Sequence, residues 1–156
     1  MAAGFSHERG FTLVELVVTL IVLGILAAFV APRLMARTDF DARGFYDVTA
    51  ATLRYAQKSA VAQRRTVCVS FAGNSSVTLT IATAFGDTTC DTPLAGPDGV
   101  APYTLSAPPD VGLTPLPASF SFLPSGQASA DQAIGVTGLP GKIIKVWAAT
   151  GYVQDN

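Results

Sequence analysis

The chain has 156 residues, 49% of them hydrophobic and 13% charged, with a formal charge of −1. That length suits one domain with a sizeable core. A charged fraction near half of the usual ~25% excludes a highly charged disordered chain.

His7 is the one histidine, and the two cysteines, Cys68 and Cys90, are 22 positions apart. A four-ligand zinc site cannot be assembled from that set without carboxylate help, and general acid–base work usually recruits histidine. No Gly-rich phosphate loop, dinucleotide fingerprint, zinc-protease pair or nucleophile elbow occurs. The sequence reads as a non-enzyme, with no cofactor and no metal.

The first element is apolar. Residues 16–31 read LVVTLIVLGILAAFVA, and counted from Phe11 the stretch has 21 residues. As a helix it would be ~31 Å long, matching a hydrocarbon core of ~30 Å. A cleaved secretory signal needs small residues at −3 and −1. A cut after Ala31 puts Phe29 at −3 and Pro32 at +1, and one after Ala28 puts Leu26 at −3, so both fit poorly. A plain transmembrane anchor fits the length but leaves Glu15 unexplained, because an ionised carboxylate in lipid costs several kcal/mol and marks a site with a partner.

Gly10-Phe11-Thr12-Leu13-Val14-Glu15, followed by that apolar run, resembles the type IV pilin family. The resemblance implies a leader, residues 1–10, removed by a prepilin peptidase between Gly10 and Phe11, with N-methylation of Phe11. It implies that residues 11–31 are first a single inner-membrane span and then part of a filament core. The partner it supplies for Glu15 is the Phe11 ammonium of a neighbouring subunit, which would set axial register. The alternative for Glu15 is a place near the interface, snorkelling or protonated, with no role. Counting cations opposes the implied topology: Arg9 and His7 precede the span, whereas Arg33, Arg37 and Arg43 follow it. The cleavage motif and the cysteines are given precedence, which places residues 32–156 in the periplasm as a pilin head, and later in the pilus or pseudopilus.

Pro32 lacks an amide donor and crowds the carbonyl of Ala28, which predicts a bend. Thr38-Asp39-Phe40-Asp41 reads as a renewed helix start, capped by Thr38 or Asp41, and residues 42–65 as an amphipathic helix. At about 100° per residue, Phe45, Val48, Thr52, Tyr55, Ala56 and Ala60 fall on one side. Arg43, Asp47, Arg54, Lys58 and Arg65 fall on the other. Residues 33–65 carry seven basic against three acidic side chains, and residues 66–156 carry two against six.

Beyond Arg65 the period becomes two. Thr66–Phe71 and Val77–Thr83 read as strands joined by the turn Gly73-Asn74-Ser75, and residues 85–99 as a loop. Shorter strands are predicted around Tyr103–Ser106, Phe120–Leu123, Ile134–Thr137 and Lys142–Ala148, kept short or at edges by prolines. The fold class is α+β: a long N-terminal helix packed on antiparallel β-sheet (residues 66–153). For Cys68 and Cys90 a disulfide, on the premise of export, stands against two buried free thiols.

Three further runs narrow the resemblance. Tyr55 to Cys68, Phe120-Ser121-Phe122-Leu123-Pro124-Ser125-Gly126, and Ile144 to Val153 with its Thr150-Gly151-Tyr152-Val153 end are similar to the GspH/FimT-type minor pilins. Phe40 to Phe45, the cysteine pair and Cys90-Asp91-Thr92-Pro93-Leu94 are similar to the MshC-type members, from mannose-sensitive-haemagglutinin pili. This implies a minor pilin or pseudopilin that primes or caps pilus assembly. Its partners would be prepilin peptidase, other major and minor pilins and an inner-membrane platform. Two alternatives remain open: a minor pseudopilin of type II secretion, and a DNA-binding minor pilin of the FimT type. For the latter, or for contact with a partner, the candidates are Arg43, Arg54, Lys58 and Arg65, with Arg64, Lys142 and Lys145 beside them. Arg54 and Lys58, like charges at i,i+4, call for a counter-charge.

Overall fold

The computed structural model describes residues 11–156, and for residues 28–37 the backbone alone. The expected leader, with His7, Arg9 and Gly10, lies outside the described residues, as do the side chains of Pro32, Arg33 and Arg37. The chain divides into two units, one ending at Arg37 and one spanning Thr38–Asn156.

Helix α1 spans Leu13–Gln63. The renewed start expected at Thr38–Asp41 is not there, because helix runs through those residues. A capping side chain acts where the backbone has already left the helical conformation, and Arg33-Leu34-Met35-Ala36-Arg37 are all good helix formers. In the second unit the buried face of α1 carries Ala42, Phe45, Tyr46, Thr49, Ala50, Leu53, Ala56 and Ala60. It is rotated from the expected face: Leu53 is fully buried, while Val48 is 41% exposed. Four alanines on this face let backbone approach closely.

Nine strands follow, every pair antiparallel. The first sheet has β1 (Val67–Ala72) at its centre, flanked by β2 (Ser76–Ile81) and β6 (Phe120–Phe122). Two short strands share the outer edge of β2: β3 (Thr92–Pro93) on Thr80–Ile81 and β4 (Thr104–Ser106) on Ser76–Thr78. The second sheet runs β5 (Leu113–Thr114), β7 (Gln132–Val136), β8 (Ile143–Val146), β9 (Val153–Asp155). The sequence reading took this for one sheet ending at residue 153, and it had no strand at β3, β5 or β9. Two- and three-residue strands carry too few alternations to show a period.

One core joins the three layers. Phe45, Leu53, Ala56 and Ala60 of α1 cluster with Val67, Val69, Leu79 and Phe122 of the first sheet and with Ile134, Val136, Ile144, Val146 and Val153 of the second. All residues of this cluster lie between Ala42 and Val153, so the second unit contains its own core.

Candidate assembly site

The helix entry is written in the hexapeptide. Thr12 is the N-cap: its hydroxyl oxygen accepts from the Glu15 amide at 3.3 Å, and its carbonyl accepts from the Leu16 amide at 3.2 Å. Thr-x-x-Glu has the spacing of a capping box, with Glu15 at the third helical position. There a carboxylate also favours the positive end of the helix dipole. Phe11 stands just ahead of the cap, 79% exposed.

From Phe11 to Ala27 every described side chain is exposed, and the apolar ones lie on all sides of the helix. Leu13, Val14, Leu16, Val17, Val18, Leu20, Ile21, Val22, Leu23, Ile25 and Leu26 are between 44% and 80% accessible. A helix apolar all round belongs in a protein interior or a lipid phase. Among the described residues no helix is long and apolar enough to cross a membrane. The span expected over 11–31 runs past residue 27, so its end lies outside the described side chains.

The basic residues of α1 do not form one free row. Arg54 pairs with Asp155 of β9 and donates to the Val153 carbonyl at 3.3 Å. This is the counter-charge that the Arg54–Lys58 spacing called for, supplied within the chain, and its hydrogen bond holds the Asp155 carboxyl below the usual carboxylate range. Arg65 donates from Nε to the Ala82 carbonyl. Lys58 is exposed, and Arg43 lines a recess with Asp39, Tyr46, Asp47 and the β7–β8 turn. Tyr46 clamps the chain end, donating to the Asn156 carbonyl and accepting from its amide, both at 3.1 Å. Burial raises its phenol pKa. Among the described residues no group of three or more His, Cys, Asp and Glu side chains could hold a metal.

Cys68 and Cys90 are bridged, with Cα atoms 6.0 Å apart, which resolves the thiol alternative. The bridge ties β1 to the loop after β2. That loop is further held by the Thr66 hydroxyl donating to the Asp87 carbonyl at 2.8 Å and by the Ala84 amide donating to the Asp87 carboxylate at 3.1 Å.

Comparison with known proteins agrees at both ends. Residues 5–31 match the family model described as the prokaryotic N-terminal methylation motif. The chain is 32% identical over 93 residues to the type IV narrow pilus major component PilA5 of Thermus thermophilus, covering 60% of this chain and 63% of that protein. It is 53% identical over 33 residues to the type II secretion system core protein G of Pseudomonas aeruginosa, covering 21% and 23%. It therefore spans less than two thirds of the length of either relative. Two crystal forms of the type IV minor pilin FimU of Pseudomonas aeruginosa share the fold. The first superposes with a TM-score of 0.53 at 12% identity over 73% of this chain and 91% of that one.

The chain thus carries the N-terminal methylation motif and shares the fold of a type IV minor pilin.

The second unit contains a joint that the sequence pattern does not single out. Gln57, between the two sheets, donates from Nε2 to the Gly126 carbonyl at 3.0 Å and to the Thr150 carbonyl at 3.1 Å. Gly126 ends the Phe-x-Phe run, and Gly151 follows Thr150 in the closing run. A Cβ on Gly151 would lie 1.9 Å from the Gly126 carbonyl oxygen, and its φ of +64° disfavours any side chain. The two glycine-bearing runs quoted for the narrower resemblance thus meet under one glutamine. The available signal was a polar residue facing inward between two glycine turns, which one-dimensional periodicity does not register.

Proposed function

We propose that this chain is a minor pilin or pseudopilin, cleaved between Gly10 and Phe11, methylated on Phe11, and anchored in the inner membrane before it enters a filament. Its periplasmic head would help to prime or cap assembly together with other pilins and an inner-membrane platform. The observation that supports this most directly is the helical segment Leu13–Leu26, apolar on every side, with a single carboxylate in its first turn. Such a surface needs lipid or neighbouring helices. A carboxylate inside either environment needs a cation, and the Phe11 ammonium of an adjacent subunit is the cation that cleavage creates.

Mass spectrometry of the mature N-terminus from membranes tests the processing step. A chain starting at methylated Phe11 is the expected result, and an intact Met1 refutes the reading. Glu15→Ala tests assembly: leader removal persists, incorporation into filaments is lost, and normal incorporation rejects the register role.

The similarity to the secretion protein over 33 residues favours a second reading, a pseudopilin of type II secretion. The likeness to minor pilin FimU covers 73% of this chain, and the relative PilA5 is a pilus component, so we place the pilus first. An MshC-type role rests on Phe40–Phe45 and the cysteine pair. Gene disruption separates the machines, with loss of surface pili in one case and loss of secreted protein in the other.

A further inference from the structure

Trp147, the one tryptophan of the chain, is 48% exposed and stays outside the core cluster. No aromatic ring packs on it among the described residues. Strand alternation puts it there: Ile144 and Val146 of β8 are buried, so Lys145 and Trp147 face outward. Its backbone is held firmly. The Trp147 amide donates to the Tyr152 carbonyl at 3.0 Å, and the Trp147 carbonyl accepts from the Gly151 amide at 2.7 Å. The Ala148 amide donates to Asp131 Oδ1 at 2.6 Å, and the Gln57 joint holds the turn at Thr150. Tyr152, exposed as well, stands opposite Trp147 across this hairpin. Aromatic surface carried on fixed backbone loses little freedom when a ligand covers it.

Beside the indole lies a recess of about 260 Å³, lined by Asp131, Gln132, Ala133, Lys145, Val146 and Trp147. Ala133 pairs with Lys145 across β7 and β8, and its small side chain leaves room between them. Asp131 and Lys145 line the same recess, yet neither has an ion pair among the described residues. Asp131 uses Oδ1 on Ala148, and Oδ2 has no hydrogen-bond partner among them. The recess therefore offers an acceptor, a donor and an amide that does both, next to an aromatic face. Its carboxylate opposes an anion and its ammonium opposes a cation, which selects a neutral ligand. A polynucleotide also stacks on aromatic rings but needs a positive groove, whereas residues 66–156 carry two basic against six acidic side chains. A glucose-type ring meets every requirement. Its substituents are equatorial, so C–H bonds cover its faces and suit the negative π face of an indole, while its hydroxyls donate and accept around the rim. A recess just below the ~300 Å³ of the smallest drug-sized sites suits one such ring.

We propose that the head binds a neutral β-1,4-linked glycan, one glucose-type ring stacking on Trp147 with its hydroxyls on Asp131 and Lys145, and the next ring reaching Tyr152. This goes beyond the proposed function, which gives the head no ligand. The site lies wholly within the head, so it stands or falls apart from entry into a filament.

A single tryptophan makes the fluorescence of the full-length chain a reporter of this site alone. The chain, held in micelles of an amine-oxide detergent that carries no sugar, is titrated with cellotetraose, with N-acetylchitotetraose and with octathymidylate. A saturable change in emission with either tetrasaccharide is the expected result, and the tighter of the two shows whether acetamido groups belong to the ligand. Asp131→Asn keeps the acceptor for Ala148, and with Lys145→Ala it should weaken binding about fivefold for each substitution. Trp147→Ala, followed by calorimetry, should weaken it about tenfold while leaving the thermal transition of the head in place. No response to either sugar, a response that all three substitutions leave unchanged, or a response to the oligonucleotide alone overturns the proposal. An unprocessed N-terminus refutes the filament reading and leaves this titration as it is.

Discussion

Leu20 and Leu53 are the same residue in the same helix with opposite fates. Leu20 is 61% exposed among other exposed aliphatics, and Leu53 is fully buried between two sheets. The head satisfies its apolar surface internally, while the segment Phe11–Leu26 leaves that to its surroundings. Stability therefore resides in one region and, on the proposed function, assembly in the other, so substitutions can separate the two.

Gly151→Ala should break the head most severely. The added methyl would collide with the Gly126 carbonyl at 1.9 Å and displace Gln57 as well. Overpacking against backbone together with a strained φ should cost ~3 kcal/mol or more, read as failure of fragment 38–156 to give a cooperative thermal transition. Leu53→Ala should cost about 3 kcal/mol by cavity formation, measured by urea unfolding. Removing the bridge with Cys68→Ser and Cys90→Ser should cost roughly 3 kcal/mol in the chain-entropy model, with a matching fall for the reduced wild type. Arg54→Ala should cost about 0.5 kcal/mol, since its ion pair is partly exposed.

The Arg54–Asp155 pair also sets an acid limit. Asp155 titrates lower folded than unfolded, so its contribution is complete above the unfolded value near pH ~4 and disappears as pH falls through the folded one. In Arg54→Ala that part of the acid slope should flatten. Tyr46 works in the opposite direction: its raised pKa gives a contribution intact below about pH 10 and lost as pH rises through the folded value. The smallest effect sharpens the comparison. Leu20→Ala in the full chain should leave head unfolding unchanged to within ~0.5 kcal/mol, and a larger shift would show the two regions to be energetically linked.

Much of this was legible in the sequence because it is local or periodic. Glu15 lies within one hexapeptide, and the strands at Val67, Val77 and Phe120 alternate cleanly. Of the expected face of α1, Phe45, Thr52, Ala56 and Ala60 are buried and Tyr55 packs against the core, while Val48 is exposed and Leu53 takes its place, because burial is decided by what covers the helix rather than by apolarity alone. β9 and the Gln57 joint were not legible. Arg54 and Asp155 are 101 positions apart, and Gln57 meets Gly126 and Thr150 across 69 and 93. No window along one chain brings such residues together.

If the proposed function holds, the head bears tension as part of a filament, and the Cys68–Cys90 bridge limits how far it can be drawn out. The 22 positions between the sulfurs remain a closed ring when the strands around them unzip. At ~3.4 Å per extended residue they would otherwise lengthen the chain by about 75 Å. Force spectroscopy on the oxidised head should register a contour gain shorter by that amount, regained on adding reductant.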